Sequence, residues 1–417
     1  MPLNMHEEIK RVSGEYLKFC KLFDGRYRIL STLGSGRYGR VMLALDCKTQ
    51  AIVAIKKLTG ACEVHRLEIF LSEISVLSHI RNENERIAAP RLRDFKIDMD
   101  HSIRKPLVYY VMDFVELGEF VGFVAAAKEL SEPLACFFVK QIVACLANLH
   151  DAGVLHLDLK PENILIDELG KLYLCDFGSA VQLSREAKRK PSLIGSEEYM
   201  APEALDLFAG AGPLDLEKLD MRKLDSFSLG VILFVILHKS NPFKRASPDD
   251  AYFRRFLKDR RLFWRIFPRS ESLSREAADL VERLLESNAE ERAQIDETAL
   301  HPWFHASTAC HSQIKSELQS VTQVIRAEFF ANLKETLRAR KNSFQSQKNK
   351  KTCKKYSTDD LLRLQEFILE KQEVIFRLHE ALRLDSDLLH SKPSKRRDLR
   401  TNSPPCPPPD QDSSAKQ

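Results

Sequence analysis

The chain has 417 residues, 44% hydrophobic and 29% charged, with 15 glycines and 18 prolines, a composition that excludes collagen-like and wholly disordered proteins. This length accommodates one large domain, or two modest ones, plus additional segments, and the longest apolar run, 229–237, holds nine residues, about half of what a membrane-spanning helix needs. The net charge of +5 resides in residues 306–417, which carry +7 against −2 for residues 1–305, so neither a basic folded domain nor a binding module points to nucleic acid as the main ligand.

The first eleven residues are polar and include Glu7, Glu8 and Lys10, unlike the apolar stretch of a secretory signal. A reducing, cytoplasmic compartment is the expectation. The basic runs 348–355 and 392–397 fit nuclear-import signals or plain solubilising charge. Nine cysteines, without a CxxC pair or a His-Cys cluster, indicate neither a disulfide framework nor a zinc site. Cys175 reads as a small core residue or as a reactive thiol.

In chain order, residues 1–26 alternate charges with Ile9, Val12, Tyr16 and Phe19, which predicts a short leading helix. Residues 27–33, 41–45 and 52–56 read as antiparallel strands, with a glycine-rich turn between the first two. Residues 67–80 place apolar side chains at 67, 70, 71, 74, 77 and 80, which is helical spacing, and 108–114 is a further strand. Beyond Gly118 helical periodicity dominates, in 134–150, 225–238 and 277–285, with short β-like pieces near Ile164 and Leu172. A mostly β half thus precedes a mostly α half, an α+β arrangement. After His301-Pro302-Trp303-Phe304 come long helical stretches separated by the basic polar run 341–355. Residues 392–417 are rich in Pro, Ser and Arg, the composition of a disordered tail. The expected organisation is a leader 1–26, a main unit 27–305, a helical basic extension 306–391 and a tail 392–417.

Gly34-Ser35-Gly36-Arg37-Tyr38-Gly39-Arg40-Val41 is G-x-G-x-x-G-x-V between two predicted strands. Its glycines let backbone N–H groups approach a polyphosphate. Dinucleotide-binding turns share the spacing but lead into a helix, and an ordinary hairpin is the competing reading. Fifteen residues after Val41, Val53-Ala54-Ile55-Lys56 ends an apolar strand in a lysine, and a buried ammonium needs an anionic partner.

This combination resembles the protein kinase family, whose strand lysine contacts the α- and β-phosphates and pairs with a glutamate on the following helix. Glu73, among apolar neighbours, fits that glutamate better than Glu68. His156-Leu157-Asp158-Leu159-Lys160-Pro161-Glu162-Asn163 resembles the catalytic loop H-x-D-L-K-x-x-N. There a carboxylate orients the attacking hydroxyl and accepts its proton, and an amide oxygen five residues later ligates magnesium. The resemblance implies Asp158 as base, Asn163 as a Mg2+ ligand, and Lys160 beside the transferring phosphoryl group, where a lysine marks serine/threonine kinases. Asp176-Phe177-Gly178, thirteen residues after Asn163, resembles the triplet whose aspartate holds Mg2+.

In the same frame ATP lies against Leu33, Gly34, Ser35, Gly36, Arg37, Tyr38, Gly39, Val41, Ala54 and Leu165. Adenine meets the backbone of Asp113 and Val115 beside Met112, and Glu119 lies near the ribose. Glu119 and Glu162 also match positions that read Arg or Lys two or three residues before the acceptor. Residues 195–203 resemble the end of an activation segment, with Glu203 paired to Arg292. Asp225-Ser226-Phe227-Ser228-Leu229-Gly230 resembles the helix that anchors the catalytic loop, Phe227 replacing a tryptophan. The main departure is Leu157, where many kinases carry an arginine that grips a phosphorylated activation loop. Ser192→Ala is therefore expected to retain most activity. The stretch 203–225 is long enough for a small surface insertion. The resemblance implies a bilobal kinase fold acting on Ser/Thr-bearing protein substrates, and 241–243 and 301–304 look most like the calcium/calmodulin-dependent-kinase-like group.

Residues 321–340, with Phe329, Phe330, Leu333 and Leu337, fit an amphipathic basic helix that binds a regulatory protein, inhibits the chain itself, or packs on the C-lobe. Leu361, Leu364, Ile368, Ile375, Leu378 and Leu382 share one heptad frame interrupted by Lys371, which fits self-association or a capping helix. The alternative function is a pseudokinase scaffold acting through these helices. Retention of Lys56, Glu73, Asp158, Asn163 and Asp176 opposes it.

Overall fold

The computed structural model describes residues 4–36, 39–59, 64–83, 86–100, 105–183, 195–209, 220–306, 311–346 and 358–390. Arg37, Tyr38, Ser192, residues 210–219 within the stretch 203–225 expected to hold an insertion, both basic runs proposed as import signals and the tail 392–417 lie outside the described residues.

The N-terminal half is a six-stranded antiparallel sheet in the order β1-β2-β3-β4-β6-β5. Its strands are β1 Leu22–Phe23, β2 Tyr27–Ser35, β3 Gly39–Asp46, β4 Ile52–Leu58, β5 Leu92–Asp100 and β6 Lys105–Asp113. Helix α1, Met5–Ser13, precedes the sheet and is capped by the Asn4 side chain, which accepts from the Glu7 N–H. Helix α2, Val64–Glu83, crosses between β4 and β5. Strand alternation sorts the sheet's side chains into two faces. Tyr27, Ile29, Ala44, Val53, Ile55, Tyr109 and Val111 form the outer cluster, while Leu43, Leu45, Ala54, Tyr110 and Met112 join the main core with α2. That double burial is why β4 reads as a continuous apolar run.

The second half is helical: α3 Phe120–Ala126, α4 Glu132–Asp151, α5 Pro202–Ala209, α6 Arg222–His238, α7 Ala251–Lys258, α8 Arg260–Trp264, α9 Arg275–Leu284, α10 Ile295–Ala299 and α11 Trp303–Ala306. Two short ribbons, β7 Val154–Leu155 with β10 Val181–Gln182 and β8 Ile164–Ile166 with β9 Leu172–Leu174, carry the loops of the cleft. Helix α6 is buried from Lys223 to Leu237, as expected for a helix apolar on all sides at the centre of a domain. A Cβ on Gly230 would stand 2.8 Å from the Leu284 Cβ, so glycine is what lets α6 and α9 approach. Among the described residues α4 alone is long and apolar enough to cross a membrane, and its Leu134, Phe138, Ile142, Leu146 and Leu149 are buried in the core.

Three further helices follow: α12 His311–Ser346, α13 Thr358–Glu370 and α14 Gln372–His390. Helix α12 runs unbroken for 36 residues, through the start of the basic run read as a separator. It buries Leu318, Val321, Phe330, Leu333 and Leu337 and contacts α3 and α4 as well as α1 and β2, so it packs on both lobes and not on the C-lobe alone. Helices α13 and α14 break at Lys371 and pack on α2 and β5. Ile368, Ile375, Leu378 and Leu382 of the heptad frame face this chain's own core.

Candidate active site

The cleft assembles from four separate pieces of chain. From β4, the Lys56 ammonium lies 2.7 and 2.9 Å from the Glu73 carboxylate oxygens and 2.8 Å from Asp176 Oδ1. Glu73 is the buried glutamate of α2, whereas Glu68 is exposed and lies beside His65, which decides between the two candidates. Burial opposes the charge on Lys56, but Glu73 and Asp176 outweigh it and raise its pKa above the ordinary value. Burial likewise pushes the Glu73 carboxyl up, with Lys56 opposing. For Asp176 burial is outweighed by Lys56, which holds the carboxyl below its usual range. Burial and then Asp176 push the Cys175 thiol well above its ordinary value, so Cys175 is a protonated thiol and not a reactive thiolate.

Facing this group is the loop 156–163. Asp158 accepts from Lys160 Nζ at 3.1 Å, from Asn163 Nδ2 at 3.0 Å and from the Ser196 N–H at 3.0 Å. Lys160 also reaches Ser196 Oγ at 2.7 Å. The loop is anchored from below by Asp225 of α6, whose two carboxylate oxygens accept the N–H groups of His156 and Leu157 at 3.0 and 2.9 Å, with His150 at 2.8 Å. Burial works against the Asp225 charge, yet His150, His156 and the backbone donor hold its carboxyl below the ordinary range. These bonds support a left-handed backbone at Leu157, where φ is +60°. Arg292 and Glu203 pair at 2.6 and 3.0 Å behind the segment 195–203, and Arg292 lies over the Phe227 ring.

The nucleotide-side residues line the gap between these groups. Leu33, Gly34, Ser35, Gly36, Gly39 and Val41 lie along β2, β3 and their connecting turn, where Gly36 N–H donates to the Gly39 carbonyl. A Cβ on Gly34 or Gly36 would meet nothing within 4 Å, whereas on Gly39 it would sit 2.6 Å from the Lys57 carbonyl oxygen. The fold itself therefore demands glycine at 39 but not at 34 or 36, which leaves those two open to a close-approaching ligand. Ala54 lies on β4, Asp113 ends β6 and Val115 follows it. Glu119 forms an isolated β-bridge with Leu165 of β8, tying the interlobe connection to the catalytic loop.

Among the described residues no group of three or more His, Cys, Asp or Glu side chains gathers as a self-sufficient metal site. Asn163 and Asp176 offer an amide and a carboxylate oxygen, and the Asn163 nitrogen is engaged by Asp158. A pair of oxygens is the donor set for Mg2+, which keeps phosphate and water oxygens for the rest of its shell. Two participants were not singled out as functional from the sequence: Ser196, and Tyr110, whose hydroxyl lies 2.8 Å from Glu73 Oε1. Ser196 carried no signal beyond its place in 195–203. Tyr110 becomes visible once the β4–β6 register is known.

Residues 27–304 match the family described as Protein kinase domain. The chain is 32% identical over 280 residues to an Aurora kinase of Schizosaccharomyces pombe, covering 67% of this chain and 71% of that protein. It is 33% identical over 275 residues to the human serine/threonine-protein kinase ULK3 and 30% over 287 residues to CBL-interacting protein kinase 29 of Oryza sativa subsp. japonica. Those matches cover 65% and 67% of this chain but 53% and 59% of the relatives, little more than half their length. With the cleft geometry and these matches together, the chain belongs to the protein kinase family, as a member of its serine/threonine class.

Proposed function

We propose that this chain transfers the γ-phosphoryl group of ATP to serine and threonine hydroxyls of protein substrates. The observation that carries the reading is the Lys56–Glu73–Asp176 group facing Asp158, Lys160 and Asn163 across one cleft. The acceptor oxygen forms a bond to the γ-phosphorus, the bond to the bridging oxygen breaks, and ADP leaves with the electron pair. Asp158 orients the acceptor hydroxyl and takes its proton. Lys160 stabilises negative charge on the transferring group, and Lys56 holds the α- and β-phosphates while Glu73 keeps its ammonium in place. Mg2+, held by Asn163 and Asp176, would neutralise charge on the phosphate oxygens.

A preference for Arg or Lys two or three residues before the acceptor rests on Glu119 and Glu162. Glu162 Oε2 is buried without a hydrogen-bond partner among the described residues, and burial followed by the Glu162 charge raises the Glu119 carboxyl pKa. Two mutually repelling carboxylates favour a guanidinium between them. The test is incorporation of labelled phosphate from Mg·ATP into Ser, Thr and Tyr peptides with Arg, Glu or Pro at flanking positions. Incorporation into Ser and Thr peptides, highest with upstream Arg, is expected. Incorporation only into Tyr peptides would end the serine/threonine reading, and an acidic or proline-directed preference would end the Glu119–Glu162 assignment.

A second role, contact with a regulatory protein or a second copy through the C-terminal helices, is favoured by Leu362, Leu369 and Phe376. These are exposed and seven residues apart on α13 and α14, and the bonds from Lys371 N–H to the Phe367 carbonyl and from Ile375 N–H to the Lys371 carbonyl keep helical spacing across the junction, a repeat suited to a helix seam. Sedimentation of the full chain against Leu369→Glu/Phe376→Glu tests it. A complex lost in the variant supports the role, and a monomer in both limits the role to other proteins.

A further inference from the structure

Glu73 has a buried partner besides Lys56. The register of β4 against β6 sets Lys56 directly opposite Tyr110 and Ala54 opposite Met112, so these four side chains share the inner face of the sheet. Tyr109 and Val111 point to the outer cluster instead. Only a tyrosine at 110 can therefore reach the cleft, and its hydroxyl stands 2.8 Å from Glu73 Oε1, the oxygen that also accepts from Lys56 at 2.7 Å. Tyr110 is 2% exposed and Glu73 1%. Phe70, one turn before Glu73 on α2, packs on the Tyr110 ring with centroids 5.2 Å apart, so ring and carboxylate are located by the same helix.

Packing alone does not account for a tyrosine here. Phenylalanine fills the same volume, and a buried hydroxyl is unfavourable unless it is hydrogen-bonded. Burial, reinforced by the Glu73 and Asp176 carboxylates, raises the Tyr110 pKa well above its ordinary value, so the group remains a donor. The neighbouring Tyr109 provides the contrast, since its hydroxyl pairs with Asp24 on the outer face, away from the cleft.

We propose that Tyr110 is a positioning residue for phosphoryl transfer, its hydroxyl fixing the Glu73 carboxylate that orients Lys56. The inference rests on the kinase reading given above. Lys56 is shared between Glu73 and Asp176, which lie on different pieces of chain. A glutamate side chain held by the lysine alone follows it when a phosphate draws the ammonium away. A second bond to β6 ties the carboxylate to the sheet that carries Lys56, so the ammonium keeps one position through the reaction. Such an effect appears in the transition state more than in acceptor binding.

The test is a double-substitution cycle in the full chain with Tyr110→Phe and Glu73→Met, measuring kcat, the peptide KM and the thermal midpoint. Tyr110→Phe is expected to lower kcat by about five- to tenfold, up to about 1.4 kcal/mol of barrier, with the peptide KM changed by less than about twofold. In the Glu73→Met background the same substitution is expected to cost nothing further. An unchanged kcat in Tyr110→Phe overturns the proposal. So does an equal loss in both backgrounds, because the hydroxyl would then act through packing alone. If the wild-type chain transfers no phosphate, the kinase reading fails and not this inference.

Discussion

In the cleft, Lys56, Glu73, Asp158, Asn163, Asp176 and Asp225 meet through buried or part-buried bonds of about 3 Å or less, each group having a specified partner. Around the cleft, the leader and the C-terminal helices are held differently. Arg326 of α12 links Glu8 of α1 with Glu168 on the β8–β9 turn, and the Met5 N–H donates to the same Glu168. Glu317 accepts from the Ser131 N–H and hydroxyl at the start of α4. Phe329 approaches Phe114, and His379 stacks on Phe95 at 4.0 Å. These contacts are apolar, part-exposed ion pairs or hydrogen bonds to carboxylates, which tolerate exchange for groups of similar size and charge. A substitution in the wrapping should therefore register in stability with little change in rate, whereas a cleft substitution should register in rate, with a stability loss added where it removes a buried anchor such as Asp225.

The sharpest way to break this division is Asp225→Ala, which removes the acceptor of two loop N–H groups and of His150. It is expected to lower kcat by about 100-fold or more through displacement of the loop, and stability by about 3–5 kcal/mol. Full activity would show that the loop needs no support from α6. Next, Phe367→Ala on α13, a side chain 5% exposed, should cost about 3 kcal/mol. Hydrogen exchange should rise in α13 and α14 before α6, and uniform protection would mean the extension unfolds only with the whole. Arg326→Ala, with its side chain 23% exposed, should cost about 1 kcal/mol and change kcat by less than about twofold. A tenfold rate loss would make the wrapping part of the catalytic machinery.

At neutral pH the last effect is silent, because it lies in the acid limb of the pH dependence. Because the Asp225 carboxyl is depressed in the fold, its contribution is present above the unfolded value of about 3.9 and is lost as pH falls through the folded value. Acid unfolding of Asp225→Asn should therefore fall less steeply below about pH 4, by up to 1.4 kcal/mol per pH unit for one proton. Parallel curves would show that Asp225 carries no such linkage.

The same division governs what could be read in the sequence. The glycine-rich turn, the lysine of β4, the catalytic loop and the Asp176 triplet are contiguous motifs in which each residue type answers a chemical need. Glu73 was separable from Glu68 by its apolar neighbours, and Glu203 found Arg292 as expected. Strand β5 alternates polar and apolar residues from Asp94 to Asp100, but a bulge shifts its register at Leu92–Asp94 and breaks the alternation at its start, so its beginning carries no local strand signal. For α12 the amphipathic pattern indicated a helix but not its dock, since Glu8 and Glu168 lie 318 and 158 residues from Arg326. Heptad spacing placed Ile368, Ile375, Leu378 and Leu382 on one face without saying that the face covers this chain's own core. Tyr110 was missed for the same reason: its meaning lies in a cross-strand register, which no local pattern encodes.

The most direct test of the account is labelled phosphate transfer from Mg·ATP to an Arg-containing Ser/Thr peptide by the wild-type chain and by Asp158→Asn. Transfer by the wild type and loss of about 1,000-fold or more in the variant are expected, with an unchanged unfolding midpoint. Comparable transfer by both proteins would contradict Asp158 as the base, and no transfer by either would contradict the assignment of a working kinase.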